Sequence, residues 1–378
     1  MRRIGVIVNP IAGMGGRVGL KGTDGAATLA RARELGAQPV SGERAARALR
    51  ELPAGLDILA APGAMGAESC AAAGLCCQIL GTAETGTAET GTAETGTAET
   101  GAAATREAAR AMHRAGAELL LFAGGDGTAR DVLAAVGTAL PILGIPTGVK
   151  MQSAVFGTSP AAAGRVAAGF LKDGLLREAE VMDLDEDALR QGRVSPRLHG
   201  FANVPQESRL MQAGKSGAPV PDEAALDALA RRLVSEMQLG RLYLLGCGTT
   251  TRRIKQALGF PGTLLGIDVV LDRRLLAADL SEAQLLRLLE NMPATAILGV
   301  TGGQGFLLGR GNQQLSPAVL RRLGRDNIMV VAGAQKLALL DPACLHVDTG
   351  EAALDAALAG YIAVHTAPGR TAMLRVAA

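Results

Sequence analysis

The stretch LLLFAGGDGTARDVLAAV, residues 119 to 136, runs from five apolar residues into Gly124-Gly125-Asp126-Gly127-Thr128 and then into an apolar pattern with helical spacing. A glycine-rich turn at the start of a helix aims backbone N–H groups at a common centre. The helix dipole adds partial positive charge there, so the loop suits an anion such as phosphate. Gly124, Gly125, Gly127 and Thr128 are therefore candidates to hold phosphate. Asp126 carries the wrong charge for that task. It suits the acceptance of a hydroxyl proton, or a metal ligand that brings Mg²⁺ to the phosphates. The competing reading is a turn in which Asp and Thr cap the helix that follows. Asp131 falls in the first helical turn, where a carboxylate is favourable anyway, and is a tentative metal ligand.

Further polar turns could serve the same ligand. In RIGVIVNPIAGMGG, Asn9, Gly13, Gly15 and Gly16 follow a short apolar run and form either a second anion loop or an ordinary strand-to-helix connection. In GIPTGVKMQSAVFG, Lys150 stands between Gly148 and an apolar stretch, where a point charge would meet phosphate. Gly248, Thr249, Thr250 and Thr251 offer hydroxyl and backbone donors, and Gly309, Gly311 and Asn312 a further turn. Arg252 and Arg253 are either phosphate contacts or a solvated pair. The acidic run Asp183, Asp185, Glu186 and Asp187 is either a Mg²⁺ site or a charged strand end.

The elements that must position these residues alternate. Short apolar runs at RIGVIV, ILAA, CCQIL and ELLLFA are separated by helical patterns, which implies right-handed crossovers and a doubly wound parallel sheet with helices on both faces. Ligands then belong at the carboxyl ends of the strands, where the glycine turns fall. Residues 81 to 101 interrupt the order with four tandem copies of Gly-Thr-Ala-Glu-Thr, a period that fits neither helix nor strand. With nothing larger than Ala to bury, they read as an exposed insertion without a catalytic role. Past residue 150 the texture becomes mixed, with helices expected over 221–240 and, behind a Ser-x-x-Gln capping box, over 281–292. The expected organisation is an N-terminal α/β domain at 1–150 and a mixed α/β, β-rich domain at 151–340. A tail at 341–378, a helix and two hairpin-like strands, would return to the first domain.

Composition narrows the function. A chain of 378 residues suits two domains, and 48% hydrophobic residues supply two cores. The net charge of +2, the absence of Trp and a 2% aromatic content argue against a nucleic-acid partner, which needs a concentrated basic face and often stacking rings. Five scattered cysteines without a CxxC pair point to a reducing compartment, and four distant histidines without HExxH argue against zinc. No apolar run approaches the roughly 20 residues of a membrane span. The chain reads as soluble and cytoplasmic.

FAGGDGTARD carries the GGDGT motif of NAD kinases, and VNPIAGMGG resembles the Asn-Pro-x-x-Gly loop of the superfamily of diacylglycerol, sphingosine and ATP-NAD kinases. APGAMG, GIPTGVKMQSAVFGTSP, EVMDLDED, GCGTTTRRI and GRGNQQLSP extend the resemblance over nearly the whole chain outside the repeat. They are similar to the ATP-NAD kinase-like subgroup that includes the acetoin-catabolism X proteins. The resemblance implies a two-domain NAD kinase-like fold and Mg²⁺-dependent phosphoryl transfer from ATP or polyphosphate to the 2′-hydroxyl of NAD. Asp126 would accept the hydroxyl proton while the glycine loops hold the phosphate chain. Gly248, Thr249, Thr250 and Asn312 would lie in the second domain, which binds nucleotide with the first, in a homo-oligomer. Typical NAD kinases carry an Asn-Glu or Asn-Asp pair after the first domain, whereas here Asn203 precedes Val204. Alternatives are therefore a kinase of another small hydroxylated metabolite or of a lipid and, from a different class, a non-catalytic nucleotide sensor.

Overall fold

The computed structural model describes residues 2–20, 26–80, 101–149, 151–184, 196–207, 210–212 and 223–378. Residues 81–100 of the repeat, Lys150, and Asp185, Glu186 and Asp187 of the acidic run lie outside the described residues. The described chain divides into two compact units, one of residues 2–13, 39–184 and 196–212, the other of 14–20, 26–38 and 223–378.

The first unit is built on β1 (Arg3–Val8), β2 (Asp57–Ala60), β3 (Gln78–Ile79), β4 (Leu119–Gly124) and β5 (Ile142–Pro146), in the order β3-β2-β1-β4-β5. Every neighbouring pair is parallel. The near-continuous apolar runs are what such a sheet needs, because helices cover both faces, and β4 and β5 are buried at every position. After β1 come α1 (Ala26–Glu34), which belongs to the second unit, and α2 (Ser41–Leu49); α3 (Ala67–Ala72) follows β2. α4 (Ala102–Arg114) precedes β4, and α5 (Asp126–Val136) follows it. α4 buries Thr105, Ala109 and Met112, one face at helical spacing. α6 (Pro160–Asp173) follows β5, capped by Ser159, whose hydroxyl accepts from Ala162 N–H at 3.1 Å, and ended by left-handed Gly174.

The unit runs past the expected boundary at 150. An antiparallel pair, β6 (Leu176–Leu184) and β7 (Pro196–Pro205), belongs to it, because Ala179, Val181, Ala202 and Val204 join the same core as Ile4, Val6 and Phe122.

The second unit carries α7 (Glu223–Glu236), β8 (Leu242–Leu245), α8 (Thr249–Ala257), β9 (Asp268–Leu271), β10 (Arg274–Ala277), α9 (Glu282–Leu289) and β11 (Ala294–Gly299). It continues with β12 (Phe306–Leu308), α10 (Pro317–Leu323), β13 (Ile328–Val331), α11 (Ala334–Ala338), β14 (Cys344–Val347), α12 (Ala352–Leu358), β15 (Gly360–Ala367) and β16 (Arg370–Ala377). Nine strands form one mixed sheet in the order β10-β9-β8-β11-β13-β15-β16-β14-β12. The Ser281 capping box forms as read, Ser281 N–H donating to Gln284 Oε1 at 2.9 Å. The tail is the expected helix and hairpin, but its strands pair with β13 and β14 in the middle of this sheet, so it does not return to the first domain. Residues 14–20 join the unit through contacts such as Glu282 N–H to Arg17 O at 3.1 Å.

Two buried ion pairs pin the second unit. Lys255 on α8 meets Asp268 at 3.0 Å, both fully buried, and Asp268 also accepts from Thr263 N–H, Thr263 Oγ1–H and Asp279 N–H. Arg310 meets Asp348 at 2.8 Å with its guanidinium 4.3 Å from the centre of the Phe306 ring. His346, on β14, packs against the same ring at 5.4 Å, with Cys344 Sγ 3.6 Å from its Nε2. Among the described residues no helix is long and apolar enough to cross a membrane.

Candidate functional site

In the first unit, three chain segments meet where the parallel strands end. β4 stops at Gly124, Gly125 is extended, and α5 begins at Asp126 with no side chain capping it. The capping reading of this turn therefore fails. With no cap, the first N–H groups of α5 have no partner within the helix. Thr128 instead bridges sideways: its Oγ1 accepts from Asn9 Nδ2 at 3.1 Å, while Asn9 N–H donates to Ala123 O at 2.9 Å and Asn9 Oδ1 accepts from Ile11 N–H at 3.3 Å. Asn9 thus ties the loop after β1 to the loop after β4.

The third segment follows β5. Thr147 N–H and Gly148 N–H both donate to Gly124 O, at 3.0 and 3.2 Å. Gly125 and Gly148 pass so closely that a Cβ on Gly148 would lie 2.8 Å from Gly125 Cα. These two glycines are demanded by backbone crossing backbone. Gly13 is demanded as strictly, since its φ is +79° and a Cβ there would lie 2.0 Å from Thr147 O.

Asp126 is 7% exposed and sits in a cradle of donors. Gln152 N–H donates to its Oδ2 at 2.7 Å; Ser153 N–H and Ser153 Oγ–H donate to its Oδ1 at 3.0 and 2.6 Å. Ser153 Oγ also accepts from Met182 N–H at 2.9 Å and lies 3.0 Å from Met182 O. Gln212 holds the segment from behind, its Nε2 donating to Met151 O at 3.2 Å and Ser153 O at 3.0 Å. Thr147 Oγ1, Gln152 Oε1 and Gln212 Oε1 are buried acceptors without a donor, the kind of atom that takes an ordered water or a ligand's N–H or O–H. Sequence reasoning missed Gln152, Ser153 and Gln212. Among the described contacts to Asp126, those from Gln152 and Ser153 N–H come from the backbone, which has no residue signature.

Other expected site residues have different surroundings. Asp131 pairs with Arg106 at 2.9 Å, linking α5 to α4, so the tentative metal ligand is engaged by a cation. Among the described residues no group of three or more His, Cys, Asp or Glu is placed to hold a metal ion. Lys150 lies outside the described residues.

In the second unit, Gly15 O and Gly16 O accept from Leu20 N–H and Gly19 N–H in a tight turn, and Gly16 lies against Gln313. Next to Gln313, the amide of Asn312 is spent inside its own loop. Its Oδ1 accepts from Gly309 N–H at 2.9 Å and its Nδ2 donates to Leu307 O at 2.8 Å. Asn312 shapes the turn rather than offering that amide outward. Gly248 precedes α8 at φ +107° without a side-chain cap, so Thr249 and Thr250 occupy an uncapped helix start; Thr249 is exposed and Thr250 buried. Thr251 turns inward to Gly246 O at 2.8 Å. Arg253 is taken by Asp227 at 2.5 Å and Glu223 at 2.8 Å, which removes it from the phosphate candidates.

Two family models match the chain: the ATP-NAD kinase N-terminal domain over residues 4–175 and the ATP-NAD kinase C-terminal domain over residues 252–376. No curated protein and no solved structure matches it. The first match holds Asn9, the GGDGT loop and the segment carrying Ser153; the second spans most of the nine-stranded sheet. On these two matches the chain belongs to the ATP-NAD kinase family and is a phosphotransferase of that family.

Proposed function

We propose that the chain transfers the γ-phosphoryl group of ATP, or a phosphoryl group of polyphosphate, to the 2′-hydroxyl of NAD, giving NADP. The carrying observation is Asp126, a buried carboxylate that accepts from Gln152 N–H, Ser153 N–H and Ser153 Oγ–H at the uncapped start of α5. Simple phosphate binding gains nothing from a carboxylate there, whereas a hydroxyl that must lose its proton does. Phosphoryl transfer passes through a loose transition state, so the protein's work is positioning and charge stabilisation. In this reading Asp126 takes the hydroxyl proton. The α5 N–H groups with Gly124, Gly125, Gly127 and Thr128 receive the phosphates, together with Asn9, Gly13, Gly148 and Lys150. The family resemblance assigns Gly15, Gly16, Gly248, Thr249, Thr250 and Asn312 to phosphate or nucleotide binding.

The family implies Mg²⁺, and the described residues form no cage for it. Mg²⁺ commonly keeps several waters and rides on substrate phosphates with one or two carboxylates, and it would supply charge neutralisation on the transferring group. A cytoplasmic location and a homo-oligomeric state belong to the same proposal.

A second acceptor is favoured by one observation. Asn203, where typical members carry an acidic neighbour, is followed by Val204, and its Nδ2 donates to Thr138 O at 2.9 Å. One N–H of its amide is thereby taken by the backbone. Another small hydroxylated metabolite would keep Asp126 and change the acceptor pocket.

The test is to incubate the protein with Mg²⁺, ATP or polyphosphate and a panel of NAD, NADH, acetoin and simple polyols, and to follow added phosphate by mass spectrometry. NADP is the expected product, and Asp126→Asn should lower turnover about 10²- to 10⁴-fold with NAD affinity held within about 3-fold. The Asn amide must face Gln152 N–H or Ser153 N–H, so melting of the variant is recorded alongside. Phosphate on a different acceptor would move the assignment to the second reading. Nucleotide binding without transfer to any acceptor would replace both with a sensor.

A further inference from the structure

We propose that Ser153 is a positioning residue for phosphoryl transfer, a hydroxyl rotor that keeps Asp126 hydrogen-bonded both before and after it takes up a proton. The inference rests on the reading of Asp126 as proton acceptor. Among the described donors on the carboxylate, Gln152 N–H and Ser153 N–H are backbone groups that can only donate. They suit the charged form and cannot receive an O–H. Ser153 Oγ is different, because a hydroxyl carries one hydrogen and two lone pairs.

The distances allow two complete arrangements. With Asp126 ionised, Ser153 O–H points to Oδ1 at 2.6 Å, and Oγ accepts from Met182 N–H at 2.9 Å. With a proton on Oδ1, the Ser153 hydroxyl turns to Met182 O at 3.0 Å, still accepts from Met182 N–H, and uses its second lone pair for the Asp126 O–H. Nothing need move except one hydrogen. Ser153 has no exposed surface, so water does not stand in for its hydroxyl, and Gln212 fixes the backbone of the segment through Ser153 O and Met151 O.

In the transfer step, a bond forms between the acceptor hydroxyl oxygen and the γ-phosphorus of ATP. The bond from that phosphorus to the bridging oxygen breaks, and its electron pair leaves on the diphosphate. The hydroxyl proton passes to Asp126. Ser153 acts through Asp126: it lowers the cost of the protonated carboxylate where the described backbone donors, Gln152 N–H and Ser153 N–H, suit the anion.

The experiment compares Ser153→Ala, Ser153→Thr and Asp126→Asn in steady-state kinetics with the acceptor identified above. Without Ser153 Oγ the O–H of protonated Asp126 loses its acceptor, and a buried polar group left unsatisfied costs about 1–3 kcal/mol, so Ser153→Ala should lower kcat about 5- to 150-fold and leave both KM values within about 3-fold. Ser153→Thr, which keeps the hydroxyl, should recover most of kcat. In the Asp126→Asn background, Ser153→Ala should cost little more, because the rotor has no carboxylate left to serve. Unchanged kcat in Ser153→Ala, or a fall in kcat that Ser153→Thr does not rescue, overturns the proposal. So does a loss that simply multiplies with that of Asp126→Asn. Should Ser153→Ala fail to fold, Ser153→Thr decides the matter alone: near-native kcat supports the rotor and a collapse of kcat with intact melting refutes it. Full turnover in Asp126→Asn would sink the base assignment itself, an outcome distinct from any result at Ser153.

Discussion

His346 should make the second unit lose stability as the solution turns acidic, well before its carboxylates are all protonated. Its imidazole is pushed down from 6.5 to about 4, chiefly by burial and then by the cations of Arg310 and Arg375. In the unfolded chain the ring takes up a proton as pH falls through 6.5; in the folded chain it does so only near about 4. Across that window the unfolded state binds more protons, so stability is full above the upper value and drains away toward the lower one. Linkage gives a loss of about 0.8 kcal/mol by about pH 6 and about 2 kcal/mol by about pH 5, relative to about pH 8. Other groups titrate there too, so the quantity to follow is a difference. His346→Phe keeps a ring against Phe306 and cannot titrate. Urea unfolding of both proteins at several pH values should show the wild type losing about 2 kcal/mol more than the variant between about pH 8 and about pH 5. Parallel pH profiles for the two proteins would refute the reasoning, since they would mean that the ring titrates alike folded and unfolded.

Two further substitutions test packing and charge. Gly13→Ala must push a Cβ against Thr147 O, 2.0 Å away, in a left-handed backbone, so it should cost about 2–4 kcal/mol and lower the melting temperature by about 5–10 °C. A melting curve unchanged from wild type would show that the loop rearranges freely. Asp348→Ala leaves the Arg310 cation buried and should cost about 3–5 kcal/mol, while Arg310→Met with Asp348→Leu should recover most of that loss. If the double variant is no better than Asp348→Ala in urea titrations, the loss lies in packing and not in the orphaned charge.

The alternation of strand and helix in the first unit was legible because β1, β2, β4 and β5 are short apolar runs buried at nearly every position. RIGVIV, DILA, LLLFAG and ILGIP carry that mark almost without a polar residue. The boundary at 150 was not legible. β6 and β7 alternate polar and apolar residues, which looks like a new domain, but Val181 and Val204 complete the core that β1 and β4 begin. The affiliation of residues 14–20 depends on contacts hundreds of residues away, such as Arg17 with Glu282, and the central place of the tail hairpin on strand pairings about 30 residues apart, neither of which a local pattern records. At the site, Asp126 was legible from its residue type amid glycines. The reason for several glycines was not. Gly125 and Gly148 clear a path for each other's backbones, and Gly13 clears Thr147 O, constraints set in space and not along the chain. Asn312 and Arg253 looked available because sequence shows what a side chain offers and not what has already accepted it.

The interleaving of the two units along the chain bears on how the protein is made. Residues 14–20 and 26–38 leave the ribosome among the first, yet the unit they belong to is finished only when β16 emerges, some 340 residues later. At about 5–20 residues per second, that segment waits on the order of tens of seconds for its partners. The first unit, by contrast, is complete once residue 212 is out, and it can close while the N-terminal segment is still unclaimed. Neither unit is therefore a contiguous piece that can be cut out and expressed. A chain truncated at residue 150 would lack β6 and β7 and carry the stranded segment, and one starting after residue 222 would lack that segment altogether.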